Sequence, residues 1–160
     1  MIKGSDIEKP LKVVDFLEKI EVKKKYPNTI IVKIFETKPV AILFKSEGKY
    51  FLDSSANLIS FRDDINFNQL PNIFGKGAEK NFIHFLKKLE KNNFPNKKIK
   101  NFFYFQIGRW DLQLINNKII KFPDNNIDNI IKKSIELLER EDFKNYNIID
   151  LRVDGKIIVE

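Results

Sequence analysis

Residues Lys23–Ala41 read KKKYPNTIIVKIFETKPVA. A basic run meets Tyr26-Pro27-Asn28, a turn signal, and then Thr29–Glu36, a run of Ile, Val and Phe with the composition of a pleated, half-buried strand. Upstream, Ile20 and Val22 alternate with charged residues as far as Tyr26, which is the period of a strand with one wet face. Ile20–Tyr26 and Thr29–Glu36 therefore read as a β-hairpin, with Glu21, Lys23 and Lys25 pointing outward. Pro39 interrupts the next segment and belongs at a strand start or a bulge. The lysines are either the solvated end of this ribbon or a contact for a polyanion or an anionic lipid surface.

Working outward, Ser5-Asp6-Ile7-Glu8 has the spacing of a capping box, and Pro10 is tolerated only in a first helical turn. Leu11, Val14, Phe16 and Leu17 continue a helical period to about Lys19. Downstream, Val40–Phe44, Lys49–Asp53 and Asn57–Phe61 are short strands separated by turn residues, the pattern of an antiparallel meander. INFNQLPNIFGKG, residues 65–77, reads as a loop punctuated by Pro and Gly. Ala78, Phe82, Phe85, Leu86 and Leu89 place one apolar stripe on a helix ending near Asn92. Ile99–Phe105, Arg109–Ile115 and Lys118–Phe122 are strand-like, the last two joined by an INNK turn. Trp110, Leu112 and Leu114 share a face. Ile127, Ile130, Ile131, Ile135 and Leu138 mark a second amphipathic helix, with Asp124 as its expected cap. Ile148–Val153 and Lys156–Glu160 close the chain around a DG turn. Strands dominate and helices intervene singly, so the class is α+β with a mostly antiparallel sheet.

The 160 residues carry a net charge of +7, with 42% hydrophobic and 32% charged residues. That is globular composition, and a chain of this length buries enough surface to fold without cross-links. There is no cysteine, which removes disulfides and thiol chemistry. No apolar run approaches the roughly 20 residues of a membrane helix. The N-terminus has no signal-peptide core, and by itself this wording reads as soluble and cytosolic. The positive charge fits a polyanion partner, yet the lysines are scattered, as on a solvated face.

Catalytic chemistry finds little to work with. His84 is the single histidine and falls beside the apolar stripe of its helix, where a surface position is expected. Asp63-Asp64 is an acidic pair in a loop without the spaced acceptors of a calcium site. Gly75-Lys76-Gly77 precedes a helix but lacks the longer phosphate-loop pattern. No catalytic residue, metal site or cofactor is expected. The rival to a protein-binding role is a basic cytosolic nucleic-acid-binding domain, built on the +7 charge and the aromatic run NFFYF, Asn101–Phe105.

One resemblance spans most of the chain. Leu17, Ile20 and Val22, then Pro27-Asn28-Thr29, Ile30 and Val32, then Glu36, Pro39, Val40 and Ala41 stand in the order seen at the end of a POTRA domain. YFLDSSANLIS, LPNIFGKGA, GRWDLQLINNKIIKFP and IIDLRVDGKIIVE come after it in matching order. This wording resembles the bacterial cell-division family FtsQ, also called DivIB. The resemblance implies residues 1–41 as the C-terminal part of a POTRA domain, a helix plus the β-hairpin. Residues 42–160 would be an FtsQ-type β-domain. Pro27, Glu36 and Pro39 then mark the hairpin and the joint.

The resemblance further implies an inner-membrane protein whose bulk is periplasmic and which works at the division septum. It would be a non-enzymatic divisome scaffold that binds proteins of the FtsB and FtsL type and links them to septal peptidoglycan synthases. Binding by strand addition carries over to the last hairpin: Arg152 as a charged anchor, with Val153, Lys156, Ile157, Ile158 and Val159 along the terminal strand. No nucleic-acid partner is then expected. This sequence departs from the family pattern in several places. The membrane helix and the first POTRA strand and helix have no counterpart, which implies a piece of such a protein. Ala56 replaces a turn glycine, putting a positive-φ turn there in question, and Val153 stands where some members carry an aromatic residue.

Overall fold

The computed structural model describes residues 16–63 and 69–160. Two sheets result. β1 (Leu17–Lys25) and β2 (Thr29–Glu36) form a two-stranded antiparallel ribbon. Pro27 lies in its tip and Glu36, paired with Leu17, at its base. The expected helix through Lys19 is corrected at its end, because Leu17–Lys19 are in β1; its part before residue 16 lies outside the described residues. Cross-strand pairs Ile20–Ile34 and Val22–Val32 put branched side chains on one face and Lys19, Glu21, Lys23 and Lys33 on the other. Lys23–Lys25 are exposed.

Thr37 ties the ribbon to the rest of the molecule. Its N–H donates to the Phe16 carbonyl at 2.8 Å and its hydroxyl to Asp53 Oδ2 at 3.2 Å. The main sheet then runs through β3 (Pro39–Lys45), β4 (Gly48–Asp53), β5 (Leu58–Ser60), β6 (Asn72–Phe74), β7 (Ile99–Phe105), β8 (Arg109–Leu114), β9 (Ile119–Lys121), β10 (Ile148–Asp150) and β11 (Ile158–Val159). Across the sheet their order is β11-β10-β9-β8-β7-β6-β3-β4-β5. Pro39 opens β3, and the register slips between Pro39 and Ala41, as a proline at a strand start demands.

The sheet is mostly antiparallel, with parallel pairs at β3–β6, β6–β7 and β9–β10. β6 lies inside the segment read as a loop. Its three residues between Pro71 and Gly75 are too few to show a period, yet Ile73 is wholly buried at the centre of the sheet. The long-range ladder to β3 and β7 makes the strand.

Lateral pairing sorts the side chains into rows. Leu43, Ile73, Phe102, Leu112, Ile120 and Ile149 form one row. Helices α1 (Ala78–Lys91) and α2 (Ile127–Glu139) pack into the same apolar core. Phe82 meets Phe102 edge-on at 5.0 Å, and Phe85 stacks on Trp110 at 5.2 Å. Burial of such rings contributes more than any polar contact in the sheet. In α2 the buried set is Ile127, Ile131, Ser134 and Leu137, rotated slightly from the stripe read in the sequence. The expected cap is also corrected. Asn126, in the left-handed conformation at φ 48°, precedes α2, and no side chain caps it.

The opposite face carries Phe44, Phe74 and Phe103 in a continuous stack, with centroids 4.8 and 5.3 Å apart. Beside them the amides of Asn72, Asn101 and Gln113 bond in series at 2.9 and 2.6 Å. Trp110, Leu112 and Leu114 are buried as their shared face requires, but so is Asp111 on the other side of β8.

Candidate functional site at the sheet edge

β11 closes the sheet and, among the described residues, pairs with β10 alone, through Ile149–Val159 and Asp150–Ile158. The Ile148 N–H donates to the Glu160 carbonyl at 3.1 Å, and the Glu160 N–H returns a bond to the Ile148 carbonyl at 3.2 Å. In an antiparallel ladder such doubly bonded pairs alternate with pairs whose main-chain groups face away. Glu160 and Ile158 therefore address β10. The main-chain groups of Val159, in the pair between them, point off the edge of the sheet. Side chains alternate as well: Ile157 and Val159 are half-buried, Ile157 against the core, while Ile158 is 44% exposed.

The regular ladder is shorter than the strands read in the sequence. β10 ends at Asp150 rather than Val153, and β11 spans Ile158–Val159 rather than Lys156–Glu160. Gly155 at φ 69° turns the chain between them, and the Lys156 N–H closes the turn on the Val153 carbonyl at 3.1 Å. Val153 and Lys156 sit exposed on this turn, beside the strand pair.

Arg152 is held within the molecule. Its Nε donates to both Asp150 carboxylate oxygens at 2.8 and 2.9 Å, its Nη2 also reaches Oδ2, and its main-chain N–H donates to Oδ1 at 3.1 Å. The Arg152 guanidinium beside it holds the Asp150 carboxyl below the usual carboxylate range, and Asp150 in turn raises the pKa of Arg152. Asp150 was not singled out in the sequence. The signal was there in Asp-Leu-Arg, since residues two apart on a strand share a face.

The pair belongs to a charged row. Asp111 on β8 pairs laterally with Lys121 on β9, which pairs with Asp150 on β10 and so with Ile158 on β11. Arg109 lies 3.6 Å from Asp111. Burial pushes the Asp111 carboxyl up, against the pull of Arg109, Arg152 and Lys121. Its Oδ1 is buried without a hydrogen-bond partner.

The other residues picked from the sequence do not gather here. Pro27 lies at the ribbon tip, with Glu36 and Pro39 at the base, roughly 25 Å apart at ~3.3 Å per strand residue. His84 is exposed on α1. The aromatic run Asn101–Phe105 is a central strand of the sheet: Phe102 is buried in the core, and Phe103 stacks on Phe74. Phe105 is covered by the Arg109 guanidinium at 4.2 Å. Packing within the sheet accounts for most of these rings, which does not favour a nucleic-acid reading. No helix among the described residues is long and apolar enough to cross a membrane.

Comparison with known proteins agrees with this architecture. Residues 41–152 match the family model described as cell division protein FtsQ/DivIB, C-terminal. A cell division protein FtsQ of Rickettsia prowazekii is 29% identical over 164 aligned positions, covering 99% of this chain and 60% of the relative. FtsQ of Rickettsia typhi is also 29% identical with the same coverage. FtsQ of Rhizobium radiobacter is 22% identical over 91% of this chain and 70% of its own length. The chain belongs to the FtsQ/DivIB family of cell-division proteins. It spans about 60% of the length of the rickettsial relatives it matches.

Proposed function

We propose that this chain is a non-enzymatic scaffold module of the division machinery on the periplasmic side of the inner membrane, at the septum. It receives a partner of the FtsB and FtsL type by β-strand addition at β11 and so connects early division proteins to the septal peptidoglycan synthases. Residues 1–41 are the POTRA part and residues 42–160 the β-domain, with the joint at Glu36–Ala41. The observation that carries this reading is the flank of β11 that no other described strand covers. The outward main-chain groups of Val159 offer affinity to an extended segment, and the alternation of Ile157, Ile158 and Val159 offers selectivity. Arg152 contributes from the turn as part of the Asp150 pair, and Val153 and Lys156 line the approach.

The test is a pull-down of the full chain with the FtsB-type periplasmic segment of the same bacterium. Val159→Pro removes an outward donor and leaves the bonds of Ile158 and Glu160 to β10 untouched. Binding is expected to fall below detection for Val159→Pro and to persist for Lys87→Ala on the far helix. A Val159→Pro protein that retains the segment as well as wild type does would end the strand-addition reading.

A further inference from the structure

Lys118 follows the tight turn between β8 and β9 and is only 8% exposed. Its Nζ donates to the carbonyls of Phe143 at 2.9 Å and Lys144 at 3.4 Å, and also to that of Tyr146. Three ammonium protons thus face three carbonyls, the arrangement that makes a buried lysine tolerable. All three acceptors lie in the short segment after α2, just before β10.

That segment delivers Asn147 to a junction. The Asn147 carbonyl accepts from the Ile119 N–H at 2.7 Å, on the β9 side. Its N–H donates to the Glu160 carbonyl at 2.7 Å, on the β11 side. The Glu160 carbonyl also takes the Ile148 N–H. The last residue of the edge is therefore gripped by two donors whose position follows from the loop that Lys118 holds. β10 and β11 have few pairs of their own, so their register depends on this anchor.

We infer that Lys118 is a positioning residue for the docking edge: by clasping the Phe143–Tyr146 main chain it sets Asn147, and through it β11, in the register a strand can be added to. This inference rests on the strand-addition reading above. The lysine touches no partner. It acts through the loop and the edge strand.

Lys118→Met keeps the apolar stem and removes the donors, and Lys118→Gln keeps a shorter amide donor. The probe is the same FtsB-type periplasmic segment, and the readouts are binding kinetics and amide hydrogen exchange. Lys118→Met is expected to bind about tenfold more weakly, chiefly by faster dissociation, with Lys118→Gln in between. Exchange is expected to quicken at Ile148 and Glu160 and to stay unchanged at Phe102 and Leu112.

If Lys118→Met binds within twofold of wild type while Val159→Pro loses binding, the positioning role is wrong and the edge stands. If Val159→Pro binds normally, the edge reading itself fails. Faster exchange at Phe102 and Leu112 together with the edge would show a lysine that supports the whole fold, and would also overturn the inference. Should Lys118→Met not fold, the same comparison is made with Lys118→Gln.

Discussion

Arg152 bends back onto Asp150, two residues earlier, so that carboxylate and guanidinium form one unit beside the edge strand. The Asp150 side chain is 9% exposed and Arg152 36%. Removing the arginine strands a nearly buried carboxylate, whereas removing both charges does not. Arg152→Ala is expected to cost about 1–2 kcal/mol in urea unfolding, the lower part of the range for charged hydrogen bonds because the arginine is partly solvated. Asp150→Asn with Arg152→Ala is expected to cost less than the sum of the single changes. Strict additivity would show the pair to be independent in solution.

Among the described residues, the carboxylates lowered at partly buried sites are Asp53 and Asp150. At Asp53, burial pushes the pKa up, but hydrogen bonds from the Asn57 side chain, the Asn57 and Ser55 N–H groups and Thr37 together bring it below the ordinary value. At Asp150 the side chain of Arg152 does the same. A folded pKa below the unfolded one stabilises fully above the unfolded value, about 3.9 for Asp, and that stability is lost as pH falls through the folded value. Asp111 runs the other way: burial raises it, so its ionisation costs stability as pH rises past the unfolded value. Urea midpoints are expected to drop between pH 5 and pH 2, and Asp53→Asn is expected to flatten that drop. An unchanged slope in Asp53→Asn would contradict the hydrogen bonds assigned to it.

Ala56 sits at φ 66° in the turn between β4 and β5, so the positive-φ turn survives the loss of glycine. Its N–H donates to the Asp53 carbonyl at 3.1 Å, which holds it there. A left-handed alanine costs ~1–2 kcal/mol, of which glycine's extra chain entropy takes back ~0.5–1. Ala56→Gly is therefore expected to stabilise by up to about 1 kcal/mol, read as a higher thermal midpoint.

Gly75, at φ 118°, joins β6 to α1, and a Cβ there would stand 2.2 Å from the Tyr104 carbonyl oxygen. Gly48, at φ 144°, has nothing within 4 Å of the same added atom. Gly75→Ala must move backbone and is expected to cost more than about 3 kcal/mol, while Gly48→Ala costs only conformational strain of about 1 kcal/mol. Thermal unfolding of the two variants separates them. Equal losses would mean that the β6–α1 junction yields freely.

The local elements were legible in the residues. Ile20 and Val22 against Val32 and Ile34 wrote the hairpin, Phe82, Phe85 and Leu89 wrote α1, and Pro39 marked the register slip in β3. Each of these depends on neighbours within a few positions, where period and turn chemistry speak directly. Only the tertiary structure inserted β6 between β3 and β7, laid β10 parallel to β9, and carried β11 to the rim. Those placements come from contacts between distant segments, such as Ile73 against Phe102 and Lys118 against the Phe143–Tyr146 main chain. A strand of two or three residues has too little local energy to declare itself. It exists because the sheet beside it leaves main-chain groups to be paired.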